Sequence, residues 1–147
     1  MQLRTPVTEE DWQRYYDVRY RILRQPWGAP KGSEVDATDS ASHNVMLCDG
    51  DTVAAVGRLH FNSAQEAQVR YMAVDTPYQG RGCGAIVMAE LEHIAQSNGA
   101  SVMMLEARDN AIGFYERMGY TVVKKSYLLF GEIQHYTMTK PLITTQE

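Results

Sequence analysis

Three alternating glycines and an arginine stand together in Gln79-Gly80-Arg81-Gly82-Cys83-Gly84-Ala85, between a stretch of strand character and one of helical character. Glycine lets backbone N–H groups approach a ligand closely, and a helix start adds the positive end of a dipole, so the expected guest is a phosphate or pyrophosphate. Arg81 reinforces that reading; the bland alternative is a tight turn with no ligand. Gly80, Gly82 and Ala85 also satisfy G-x-G-x-x-A, with Glu106 about 20 residues further on, as a dinucleotide fold requires. Against that fold, Asp75 to Gln79 separate the turn from its strand, and too little chain follows for the remaining βα units. A Walker loop is excluded because no Gly-Lys-Ser/Thr follows.

The elements that must position this turn can be read from periodicity. Thr8 followed by Glu9, Glu10 and Asp11 is a helix start, and Trp12, Tyr15, Tyr16, Arg19, Ile22 and Leu23 recur at helical spacing up to Pro26. Gln2 to Val7 reads as a short strand and Pro26 to Asn44 as a long loop. Val45 to Cys48 and Val53 to Phe61 read as a hairpin around Asp49-Gly50-Asp51. Gln68 to Val74 is a further strand, with Val69, Tyr71 and Ala73 on one face and Arg70, Met72 and Val74 on the other. Val87, Met88, Leu91, Ile94 and Ala95 make a helical stripe ended by Gly99, and Val102 to Ala107 is an apolar run suited to a buried parallel strand. Asn110 to Met118 reads as a short helix; Thr121 to Phe130 and Gln134 to Lys140 read as a closing pair of strands. The order β-α-β-β-β-α-β-α-β-β is that of a mixed α/β sheet.

At 147 residues the chain is expected to form a single domain, 1–147, large enough for its own core. Its net charge of −4, with no run of basic residues, argues against a nucleic-acid or membrane-surface partner. Two cysteines without a CxxC partner and four scattered histidines suggest a reduced, cytoplasmic setting and no metal site. The start of the chain has no apolar leader, and no run approaches the length of a membrane span. Yet ten of the 14 basic residues are arginine, whose planar fork suits carboxylates and phosphates.

Gln79-x-x-Gly82-x-Gly84, preceded by Arg70-Tyr-Met-Ala-Val74, resembles the acyl-CoA-binding signature of the GNAT family of N-acetyltransferases. Leu105-Glu-Ala-Arg108, Asn110 and Ala111-Ile-Gly-Phe-Tyr-Glu-Arg-Met-Gly-Tyr120 resemble that family's second cofactor segment. The resemblance implies a single-domain GNAT-type sheet with acetyl-CoA, or another short acyl-CoA, in the splay between its two central parallel strands. Met72, Ala73 and Val74 would pair with the pantetheine arm. Gln79, Gly80, Arg81, Gly82, Cys83, Gly84 and Ala85 would hold the pyrophosphate. Asn110 would face the cofactor or merely cap its helix. An amine would attack the thioester directly in a ternary complex.

Tyr115 matches the family tyrosine that protonates the departing thiolate, a packed aromatic beside Phe114 being the other reading. Ile133-Gln-His135-Tyr-Thr-Met138-Thr-Lys140 is similar to the C-terminal strand of the glyphosate N-acetyltransferase-like subgroup, which makes His135 the expected general base, a half-buried strand histidine being the other reading. Arg24, Arg70 and Arg108 match that subgroup's anion-binding positions and imply a small acceptor amine carrying an acid, unless each is structural. Glu34, Asp36 and Asp39 depart from the subgroup. If their loop covers the acceptor it would favour a cationic amine and supply a carboxylate base; otherwise it is a solvated acidic loop. A protein N-terminal or lysine acetyltransferase and a non-catalytic acyl-CoA-binding module remain the competing functions. Dimers are common in the resembled family, so a homodimer is an expectation of the resemblance.

Overall fold

The structure, a computed structural model, describes residues 1–142. Its helices and strands follow the expected order: β1 Gln2–Arg4, α1 Glu9–Leu23, β2 His43–Asp49, β3 Thr52–Phe61, β4 Glu66–Val74, α2 Cys83–Ser97, β5 Val102–Arg108, α3 Ile112–Glu116, β6 Thr121–Leu129 and β7 Ile133–Pro141. Their hydrogen-bonded order is β1-β2-β3-β4-β5-β7-β6. The β4–β5 pair is parallel, from Glu66↔Val102 to Val69↔Leu105, and β7 pairs antiparallel with both β5 and β6. Two compact units share these strands: Met1–His60 with Tyr71–Leu91, and Phe61–Arg70 with the chain from Glu92 onward.

In the first unit α1 begins as its sequence demands. The Thr8 hydroxyl accepts from Asp11 N, and the Asp11 carboxylate accepts from Thr8 N and Val7 N, a reciprocal cap. Those backbone donors, Val7 first, hold the Asp11 carboxyl below its ordinary pKa. Of the buried residues of α1, Tyr15 and Val18 then pack with Met46, Cys48, Val53, Val56 and Ala73. Gly57 on β3 sets the approach of α2: a Cβ there would lie 2.9 Å from Val87 Cγ1 and 3.0 Å from Leu91 Cδ1. Only glycine lets the helix rest so closely on the strand.

The simple alternation expected along β4 fails at Tyr71, whose φ is +59°. A left-handed tyrosine costs about 1–2 kcal/mol and must be held by its surroundings. The loop after α1 also differs from expectation. It carries 3₁₀ turns at Gln25–Trp27 and Asp39–Ala41, and Glu34 and Asp39 are buried rather than solvated.

In the second unit β5 alternates, burying Met103, Leu105 and Ala107, with β7 burying Ile133, His135, Thr137 and Met138 beside it. Tyr115 and Tyr120 close that core edge to face, with ring centroids 5.9 Å apart. The β6 strand ends the sheet order and is largely exposed. Its ladder with β7 shifts register twice, and Lys124 and Lys125 lie along it, the usual devices that discourage edge pairing.

Candidate active site

In the first unit the glycine turn has the shape its sequence implied. Gly80 and Gly82 take φ of +77° and +80°, conformations that disfavour side chains, with open space where each Cβ would sit. The helix starts at Cys83, earlier than the apolar stripe from Val87 suggested, so the turn runs directly into α2. Ile86 N bonds Gly82 O at 3.2 Å. The N–H groups of Cys83, Gly84 and Ala85 therefore belong to a first helical turn, which has no acceptors within its own helix. Gln79, Gly80, Arg81 and Gly82 are exposed, and the Arg81 guanidinium lies 5.1 Å from the Tyr78 ring centre. Gln79 braces the turn by donating to Val74 O at 3.0 Å. Orphan N–H donors, a dipole and an arginine fit a pyrophosphate. Cys83 is buried, with Sγ 3.9 Å from Met1 Sδ, which is a packing position. Met72 and Val74 are half-buried and Ala73 is buried at the end of β4.

Two acids of the 26–44 loop, Asp36 and Asp39, are bonded to groups of the same unit. Arg19 and Arg58, 0% and 1% exposed, both grip Asp39: Arg19 through Nη1 and Nη2 at 2.9 and 3.1 Å, Arg58 through Nη1 at 2.9 Å. Burial works to raise the Asp39 pKa, but hydrogen bonds from Arg19, Asp36 N and Tyr16 outweigh it and hold the carboxyl below its ordinary value. Arg19 Nη1 also donates to Glu34 O, and the Glu34 carboxylate accepts from Gly32 N. Asp36 accepts from Thr38 and from the Tyr71 hydroxyl at 2.8 Å. The Tyr71 ring lies 4.1 Å from the Arg19 guanidinium carbon and 5.2 Å from that of Arg58. This network holds the left-handed kink of β4 in place. Sequence reading missed it, although Arg19 on an apolar stripe and Arg58 inside Val53 to Phe61 were visible signals, since a buried guanidinium requires a partner.

Arg24 belongs to the same region, donating from Nε to Ser33 O and from Nη1 to Leu23 O, both at 3.2 Å. His60 accepts from Arg58 Nη2 at Nδ1 (3.1 Å). A separate cleft of about 700 Å³ is lined among others by Arg14, Asp17, Arg21, Lys31, Asp75 and Glu34, the last being one of the loop acids considered from sequence. Two of its arginines are already committed, Arg14 to Asp11 and Arg21 to Asp17 and Asp75.

The second unit brings His135, Arg108 and Tyr115 into one neighbourhood. His135 on β7 registers directly against Arg108 on β5. The imidazole is 4% exposed, and its Nδ1 lies 3.0 Å from Ile133 O. A carbonyl can only accept, so Nδ1 carries the proton and Nε2 the lone pair of the neutral ring. Burial lowers the His135 pKa and the Arg108 charge lowers it further, against the pull of the Ile133 carbonyl. The histidine is therefore more buried than the half-buried strand position considered from sequence.

Tyr115 is buried between Phe114 and Tyr120, so the packed-aromatic reading holds whatever else the residue does. Burial raises its pKa well above the ordinary tyrosine value, with the Arg108 charge opposing. Asn110 lies in the 3₁₀ turn Asp109–Ala111 rather than at a helix start; Ala111 stands at the N-cap of α3 and no side chain caps it. The capping role is thereby excluded. Arg70 is exposed on β4 and Arg108 half-buried. Glu106 accepts from the Thr137 hydroxyl at 2.9 and 3.1 Å. Among the described residues no His, Cys, Asp or Glu cluster could hold a metal, and no helix is long and apolar enough to cross a membrane.

Comparison with known proteins agrees with this fold. The chain is 27% identical over 132 residues to the uncharacterized N-acetyltransferase YjcF of Bacillus subtilis (strain 168), covering 90% of this chain and 94% of that protein. A crystal structure of a putative N-acetyltransferase from Lactobacillus plantarum superposes with a TM-score of 0.85 at 19% identity, covering 97% and 98% of the two chains. An aminoglycoside 6'-N-acetyltransferase complexed with coenzyme A superposes at 0.83 and 14% identity over the whole of both chains. The model of the Acetyltransferase (GNAT) family matches residues 3–120, so the chain belongs to that family and is an acetyl-CoA-dependent N-acetyltransferase.

Proposed function

We propose that the acceptor is a small amine that also carries a carboxylate or phosphonate, with His135 as general base. The observation that supports this most is the register pair Arg108↔His135, which sets a guanidinium beside the imidazole. An acid bound by Arg108, with Arg70 as a second cation, would bring its own amine to Nε2. Of the loop acids that would have favoured a cationic acceptor, Asp39 is engaged with Arg19 and Arg58 and Asp36 with Tyr71.

Acetyl-CoA supplies the acyl group as an activated thioester. Gln79 to Ala85 would hold its pyrophosphate and Met72 to Val74 its pantetheine arm, and the family resemblance implies that Asn110 would face the cofactor. His135 Nε2 receives the proton that the amine gives up as the amide bond forms. Tyr115 stabilises the departing thiolate by donating a hydrogen bond. A thiol ordinarily has a pKa near 8.5, well below that of a buried tyrosine, so complete proton transfer from Tyr115 would run uphill. The test is thiol release from acetyl-CoA across anionic, neutral and cationic amines of similar size. Expected is a preference for the anionic set that Arg108→Gln abolishes through KM; a preference for cationic amines would overturn the reading.

A further inference from the structure

The candidate base carries a neighbour that packing alone does not explain. The Tyr127 ring lies parallel to the His135 imidazole, with centroids 4.4 Å apart and planes 10° from parallel. It arrives there through a bulge. Lys125 registers against Tyr136 and Leu128 against Gln134, so Ser126 and Tyr127 together stand opposite the single residue His135. An inserted residue of this kind re-aims a side chain. Tyr127 remains 46% exposed, so its ring contributes little to the core while covering one face of a buried imidazole. The bulge is held by backbone acceptors: Gln134 Nε2 donates to Tyr127 O at 3.2 Å and to His135 O at 3.0 Å.

Two restraints act on the imidazole in perpendicular senses. The Nδ1–H bond to Ile133 O fixes the ring within its own plane and sets the tautomer. A parallel aromatic face limits tilting out of that plane. We infer that Tyr127 is a positioning residue, which holds the His135 ring so that Nε2 keeps a constant aim. This inference rests on the reading of His135 as the base.

The charged and titratable groups around the imidazole are Arg108 and Glu106 on β5, Asp109 in the turn that follows, and Tyr127 on β6. Removing the Tyr127 ring opens one imidazole face to water, which relieves the burial that disfavours the protonated form. The ring is also a weak cation–π partner for that form, an opposing effect that its own exposure keeps small.

The experiment compares full-length wild type, Tyr127→Phe and Tyr127→Ala by NMR titration of His135 and by the pH dependence of kcat, with His135→Ala as reference. Expected for Tyr127→Ala is an upward movement of the His135 midpoint by about half a pH unit or more. Its kcat should fall roughly fivefold to tenfold, with an unchanged KM for acetyl-CoA. Tyr127→Phe, which keeps the ring, should restore both. An unchanged midpoint and kcat in Tyr127→Ala would overturn the inference, as would failure of Tyr127→Phe to rescue. If the midpoint moves while the acid limb of kcat stays, or if His135→Ala keeps full turnover, the base reading fails instead. Should Tyr127→Ala not fold, Tyr127→Leu carries the same test.

Discussion

The two units use charge in opposite ways. The first sinks Arg19, Arg58 and Asp39 into its interior, ties them to Tyr15, Tyr16 and Tyr71, and uses them to hold a loop and a strained strand. The second buries His135 and Tyr115 near a half-buried arginine, Arg108, with the His135 Nδ1–H bonded to Ile133 O. The buried guanidiniums of the first unit are paired with Asp39 through their Nη groups, although the Nε of each has no hydrogen-bond partner, and the network serves shape. The lesson is that an arginine count says little until each guanidinium's partners are known.

Breaking the first unit's network should give the largest effect. Asp39→Ala strips the carboxylate from two buried guanidiniums and should cost about 3–5 kcal/mol of stability, measured by denaturant unfolding. A loss below about 1 kcal/mol would mean that the network is solvated in solution. On the other side of the comparison, Arg108→Gln should raise KM for an anionic amine at least about tenfold, the scale of a lost charge-assisted pair, and leave the unfolding midpoint near wild type. An equal loss of stability would make Arg108 structural.

Gly57→Ala presses a methyl into Val87 and Leu91 and should destabilise by about 1–3 kcal/mol. Because it disturbs the seat of α2, its KM for acetyl-CoA should rise as well, unlike that of Arg108→Gln. The smallest effect is on pH. Burial and Arg108 depress the folded His135 pKa, so the base form persists to lower pH than in a free histidine. The acid-side midpoint of the rate should therefore lie below about 6.5, the ordinary histidine value, and Arg108→Gln should move it upward. A wild-type midpoint above that ordinary value would contradict the depression.

Much of this was legible locally. The cap at Thr8, the order of elements and the left-handed glycines of the 79–85 turn follow from spacing, because each depends on neighbours in the chain. What escaped depends on contacts between distant residues. Asp39 meets Arg19 across 20 positions and Arg58 across 19, so an acidic loop read as solvated turns out to be internal. Tyr71's inverted φ was hidden in a sequence that alternates normally, since the kink is imposed from outside the strand. At the candidate site the glycine turn was readable in detail. The Arg108↔His135 pairing was not, because β7 enters the sheet between β5 and β6, against chain order.

The most direct test of the division between a scaffold of buried charge and a chemical site around one histidine is the turnover of His135→Ala at saturating acetyl-CoA and amine. Expected is a kcat roughly a hundredfold below wild type, with an unchanged KM for acetyl-CoA in protein that melts as wild type does. A kcat within about twofold of wild type in folded protein would contradict it.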